Sequence, residues 1–167
     1  MATGDTLCVF FPTDGEEPGA GTAPTLDVVN GTVVLEFDTT TEEQIDFAGF
    51  MPRVYDGGGV TITVGWMADT ATSGSVGWEI AMSRVQAETT NLGSDSYGSF
   101  QSASDVAPGT AGIVAYHSDA MSDGAQMDSV AAGEYFRLRL RRDADGSAVT
   151  DDMAGDAQLV FIEIKET

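Results

Sequence analysis

Apolar and polar residues alternate with a period of two through most of this chain. In VTITVGW, Val60, Ile62, Val64 and Trp66 fall on one side, and Thr61, Thr63 and Gly65 on the other. In VGWEIAMS, Val76, Trp78, Ile80 and Met82 oppose Gly77, Glu79, Ala81 and Ser83. In YFRLRLR, Phe136, Leu138 and Leu140 oppose Tyr135, Arg137, Arg139 and Arg141. Successive side chains point to opposite faces of a strand, so these runs are β-strands with one apolar face each. Each tryptophan can bury on the order of 200 Å², worth about 5 kcal/mol, so the two rings are expected to anchor a core beneath a sheet packed on one side. ADTATSGS turns the chain between the two tryptophan strands, which reads as a hairpin, and DGGG at 56–59 opens it.

The remaining runs follow the same logic. TLCVFF (6–11) is closed by Pro12, and the acidic TDGEEPGAGTAP after it reads as a flexible surface loop. TLDVVNGTVVLEF (25–37) places Asn30-Gly31 between apolar runs, the signature of a type I′ hairpin. Further strands are expected at 43–51, 113–118, 134–143 and 157–166, with an edge strand around 97–103 and a single helical turn within 122–134 capped by Asp128. About ten strand-like runs, with no helix long enough for a parallel crossover, define an all-β fold: an antiparallel two-sheet β-sandwich. Long loops interrupt what would otherwise be a meander, which favours a jelly roll. At 167 residues the chain is expected to be one domain, 1–167.

Charge narrows the function. Twenty-seven Asp and Glu against seven Lys and Arg give a formal charge of −20. Such a surface repels phosphate backbones and anionic lipid heads, so neither nucleic acid nor membrane is an expected partner. No run approaches the roughly 18 apolar residues of a membrane span, and MATGDTL lacks the basic start of a signal peptide, so the chain is expected to be made and kept soluble. The sole cysteine, Cys8, excludes an intrachain disulfide and reads as a small apolar group.

The chemistry-bearing residues are sparse. His117 is the only histidine and stands near no G-x-S-x-G elbow, which leaves no zinc set and no hydrolytic triad. DGGGV runs into a strand and lacks the Lys and Ser/Thr of a phosphate loop. NGT at 30–32 coincides with a tight turn and is discounted as a glycosylation acceptor. Catalytic, cofactor and metal residues are therefore all expected to be absent. In DADGSAVTDDMAGD, Asp143, Asp145, Asp151 and Asp152 offer the hard oxygens calcium prefers, but the order departs from the EF-hand pattern, and an acidic loop with an Asp-Gly turn is the expected reading. Arg137, Arg139, Arg141 and Arg142 supply four of the seven basic side chains from one strand. Such a row either pairs with acids on neighbouring strands, Glu79 or Glu163 for example, or meets an acidic face of another copy.

The segments DTLCVFFPTDGEEP, TLDVVNGTVVLEFD, FMPRVYDGGGVTITVGWMADTATSGSVGWEIAMSRV, SVAAGEYFRLRLRRD and DAQLVFIEIKET resemble small structural proteins of tailed-bacteriophage virions. The resemblance covers most of the chain and is weakest at 86–112. It implies a jelly-roll subunit without enzymatic activity, located on the virion as capsid decoration, head fibre or tail accessory. The implied partners are further copies of itself, as a homotrimer, and the major capsid protein or another virion protein. The competing expectation is a carbohydrate-binding or host-recognition module, which needs exposed aromatics; Tyr55, Tyr97, Tyr116 and Tyr135 are the candidates.

Overall fold

The computed structural model describes residues 3–167. Ten strands run in chain order: β1 (Thr6–Phe10), β2 (Thr25–Val29), β3 (Thr32–Phe37), β4 (Gln44–Phe50), β5 (Val60–Ala68), β6 (Ser75–Val85), β7 (Gln101–Val106), β8 (Ala115–Met121), β9 (Tyr135–Arg142) and β10 (Ala157–Glu166). They form two antiparallel sheets. Sheet A has the order β2-β3-β10-β5-β8, with β1 also pairing with β10, and sheet B has the order β4-β9-β6-β7. The result is a β-sandwich of the jelly-roll type. At the β2–β3 turn, Asn30 and Gly31 both have positive φ, 48° and 82°, as a type I′ hairpin requires.

The strand parity read from the sequence holds across the core. Val60, Ile62, Val64 and Trp66 of β5 are buried against Val76, Trp78, Ile80 and Met82 of β6, with Phe136, Leu138 and Leu140 of β9 beside them. The indoles of Trp66 and Trp78 meet at 6.2 Å and 70°, and Phe37 stands edge-on to Trp78 at 5.3 Å.

The tryptophan strands do not form a hairpin. β5 pairs with β10 and β8 in one sheet, while β6 pairs with β9 and β7 in the other. The chain crosses the sandwich at 69–74, and the two apolar faces look at each other rather than lying side by side. Gly74 makes this crossing with φ of 88°, where an added Cβ would stand 2.8 Å from the Asp152 carbonyl oxygen. Nor is sheet B packed on one side only, because Glu79, Ala81 and Ser83 on the outer side of β6 are buried as well.

Three local expectations also change. Residues 122–134 form turns without a helix: Asp128 sits at φ 51°, and its carboxylate accepts the Arg84 backbone N–H at 2.8 Å instead of capping a helix. Helical geometry occurs at Pro12–Asp14, a single 3₁₀ turn in the stretch expected to be a flexible loop. That stretch is tied to β4 by Glu16–Asp46 bridging and by Gln44 Nε2 donating to the Ala20 carbonyl at 2.6 Å. Strand β7 begins at Gln101, leaving Tyr97 outside it, and β8 begins at Ala115 and runs on to Met121.

Arg142 leaves the solvent-facing row to which its neighbours belong. By parity it points inward with Leu138 and Leu140, and it is fully buried. Its guanidinium grips Asp151 through Nε and Nη2, both at 2.9 Å, and donates to the carbonyls of Phe37 at 3.1 Å and Gly155 at 2.9 Å. A buried charge is tolerated only when so fully paired. Arg142→Ala strands Asp151 and is expected to cost about 3–5 kcal/mol in urea unfolding. Arg142→Met combined with Asp151→Leu is expected to cost less than either single change.

Candidate functional site

The outer face of sheet B is built by β9. Tyr135, Arg137, Arg139 and Arg141 project from alternate positions, flanked by β4 on one side and β6 on the other. Each arginine closes an ion pair within the chain. Arg139 holds Asp46 of β4 through Nε and Nη2, both at 2.7 Å. Arg137 reaches Asp95 and the Ser83 hydroxyl, and Arg141 bridges Glu79 of β6 and Glu42, both at 2.6 Å. Of the acid partners anticipated from the sequence, Glu79 takes part, while Glu163 lies on sheet A and pairs with Lys165 at 3.0 Å. The Asp46 carboxylate, hydrogen-bonded to Arg139, raises that guanidinium above its ordinary range.

The segment leading into β7 runs along β6, with Gly98 N–H donating to the Met82 carbonyl at 2.8 Å, and lays two rings on this ladder. Tyr97 covers Arg139 at 4.2 Å and Arg137 at 5.0 Å; Phe100 covers Arg141 at 4.4 Å. Cation–π contact and burial fix both rings without closing them off, since each remains partly exposed. Burial, and then the nearby Asp46 carboxylate, push the Tyr97 hydroxyl well above the ordinary tyrosine range, so it stays protonated.

Between this segment and the 17–21 loop lies a groove of about 570 Å³. Gln44, Asp46, Arg137 and Arg139 form its floor, and Gly19, Ala20, Asp95, Tyr97 and Phe100 its walls. The floor charges cancel in pairs, and Arg137 Nε is enclosed there without a hydrogen-bond partner. The groove thus offers ring faces beside a fixed array of donors and carboxylate oxygens.

The four candidate tyrosines do not share a platform. Tyr55 is buried, its hydroxyl accepting from Gly59 N–H at 3.0 Å, with Met127 sulfur at 3.6 Å. Tyr97 walls the groove, whereas Tyr116 stands on sheet A and Tyr135 packs on Phe50 at the far end of sheet B. Phe100, unremarked in the sequence, replaces them as the second groove ring.

The acidic loop serves itself. Asp143, buried, accepts from the Ser147 N–H and hydroxyl and from the N–H groups of Ala148 and Val149 at 2.8–3.2 Å. Asp151 belongs to Arg142, and Asp152 accepts Ser75 N–H at 2.7 Å. The four aspartates therefore do not converge. Asp143 and Asp145 approach Glu42 instead, with oxygens within 4.8 Å of one another, and Glu42 is ion-paired to Arg141. His117 is buried with Nε2 at 2.9 Å from Asp119. Burial pushes the Cys8 thiol up to about 11, which keeps it protonated and unreactive at neutral pH.

No protein-family model matches the chain, and no curated protein matches it in sequence. Its fold is shared by solved structures. A family 11 carbohydrate-binding module from Clostridium thermocellum, in complex with a β-1,3-1,4-mixed-linked tetrasaccharide, matches 100% of this chain and 98% of its own at 11% identity and a TM-score of 0.50. CBM28, a module specific for non-crystalline cellulose, matches 92% of this chain and 89% of its own at 12% identity and a TM-score of 0.50. An exo-β-1,3-galactanase from Phanerochaete chrysosporium matches 96% of this chain at 12% identity and a TM-score of 0.49, but the chain spans only 29% of that enzyme's length. These findings correct the capsid-decoration or head-fibre role expected from the sequence. The structural likeness runs to carbohydrate-binding modules.

Asp143→Ala releases the N–H groups of Ala148 and Val149 at once, whereas the Ser147 N–H keeps Asp145 Oδ1 at 3.0 Å. It is expected to lower stability by about 1–3 kcal/mol and to speed hydrogen exchange at Ala148 and Val149, measured by NMR.

Proposed function

We propose that this chain is a non-catalytic module that binds a neutral saccharide chain in the groove across sheet B. The observation that carries the reading is the pair of rings, Tyr97 and Phe100, fixed on Arg139 and Arg141 above a floor of closed ion pairs. A pyranose presents an apolar C–H face and a rim of hydroxyls. Ring faces meet the first, and paired arginines and aspartates meet the second with donors and acceptors already held in place. Because the floor charges cancel, the groove suits an uncharged polymer, and the acidic surface of the chain disfavours an anionic one. Asp46 and Asp95 are both committed to arginine, whereas a general acid or base must be free to exchange a proton at the bond being cut. This supports binding without hydrolysis. The shared sandwich of carbohydrate-binding modules is consistent with this use of the fold.

Affinity electrophoresis in gels containing mixed-linked β-glucan, xylan or hydroxyethyl cellulose tests the reading. Wild type is expected to be retarded by at least one polymer and to release no reducing sugar from it. Tyr97→Ala combined with Phe100→Ala is expected to weaken that retardation about tenfold or more with the fold intact by circular dichroism. Undiminished retardation of the double variant overturns the groove as the binding site.

A further inference from the structure

The outer face of sheet B continues past the groove. Its strands pair in register, so their outward residues stand in rows: Gln44, Arg141 and Glu79; Asp46, Arg139 and Ala81; Ala48, Arg137 and Ser83; then Phe50, Tyr135 and Val85. The first three rows supply the floor of the groove, and the fourth is apolar apart from the Tyr135 hydroxyl. Phe50 is 67% exposed, and its ring meets that of Tyr135 at 5.3 Å and 58°. With Val85 these rings line a second depression of about 530 Å³, completed by Gln86, Ala87 and the turn at 133–134. Glu134 is the one charged residue in that lining, and its charge is committed: it accepts from Arg84 Nε at 2.6 Å and from the Ala131 N–H at 2.9 Å. The exposed Glu88, next to Ala87, lies outside the lining.

The depression and the groove adjoin. The segment that walls the groove with Asp95, Tyr97 and Phe100 begins at the depression with Gln86 and Ala87, so one stretch of chain borders both. Tyr135 and Arg137 are successive outward positions of β9, about 7 Å apart. On β4 only Ala48 stands between Phe50 and Asp46, and its methyl group is too short to divide the two spaces. The Tyr135 row and Arg139, on which Tyr97 lies, are four residues apart, about 13 Å along the strand. That is longer than a single pyranose, so only a chain of sugars reaches both pairs of rings. We infer that the ligand of this site is a linear saccharide polymer lying along β9 through several consecutive sugars, with Phe50 and Tyr135 as a second stacking position beyond the groove. This rests on the saccharide-binding reading above and adds to it a requirement for chain length. A second copy of this chain fits the exposed ring less well, because each copy carries a formal charge of −20.

Isothermal titration of the full chain with trisaccharides and hexasaccharides of the mixed-linked β-glucan, xylan and cellulose series tests it. Phe50 is exposed, so Phe50→Ala is expected to keep the melting temperature within a few degrees of wild type. Wild type is expected to bind one hexasaccharide per chain, about tenfold or more tighter than the trisaccharide of the same series. Phe50→Ala is expected to lose that gain while its affinity for the trisaccharide is unchanged, and Phe50→Tyr to keep it. The Tyr97→Ala/Phe100→Ala double variant is expected to weaken both ligands. If Phe50→Ala retains the gain, or if two hexasaccharides bind per chain, the continuous path falls and the groove stands. If the double variant binds both ligands like wild type, the groove falls and the path with it. Failure of wild type to bind any of these sugars overturns both. Sedimentation velocity that shows a wild-type dimer dissolved by Phe50→Ala, with hexasaccharide affinity unchanged, overturns the saccharide as occupant of the Phe50 ring in favour of a second copy.

Discussion

Two indoles meeting between the sheets hold this sandwich in register. Trp66 lies in β5 of sheet A and Trp78 in β6 of sheet B, and their 6.2 Å contact joins two strands that are each paired on both sides. Around them the aromatic contacts continue through Phe37, while the Trp66 ring N–H donates to Asp105 of β7 at 2.7 Å. The core is thereby pinned to an edge strand of the opposite sheet. With the inner faces fixed by these rings, strand parity sends Arg137, Arg139 and Arg141 of β9 to the outer face of sheet B, on which the groove is built.

On sheet B, parity exposes a row of arginines, and electrostatics decides what becomes of them. A bare row of three cations on one strand would repel itself, and each is instead matched to an acid of β4, β6 or a loop. Surface ion pairs of this kind contribute little stability individually. Their consequence here is geometric: planar guanidinium groups held by carboxylates become flat platforms on which Tyr97 and Phe100 settle. The loop carrying those rings has little apolar sequence of its own, so the ladder is what orders it.

Much of this was legible in the residues. Period-two alternation identified the core positions of β5, β6 and β9, and Asn30-Gly31 gave its hairpin outright. Alternation reports which face turns inward, however, and says nothing about which strand lies alongside. A hairpin and a crossing between facing sheets share the same pattern, so the relation of β5 to β6 was misread. Arg142 was grouped with its neighbours by chemistry although its parity already placed it with Leu138 and Leu140. Tyr97 and Phe100 sit in a stretch without periodicity, where function depends on a fold-back that no local signal encodes. The bulge in β10 between Leu159 and Phe161 did leave a trace. Leu159, Val160, Phe161 and Ile162 are consecutive apolar residues in an otherwise alternating strand, which is how a bulge reads in sequence.

The build of the groove decides how it would engage a ligand. The sheet B groove is walled by loops and floored by groups already paired, so a bound chain would exchange water for fixed partners with little rearrangement of the protein. The carboxylates within it, Asp46 and Asp95, are each held by an arginine, so the groove adds little net charge of its own to a chain of formal charge −20, and a neutral saccharide, as proposed above, would meet no uncompensated charge there.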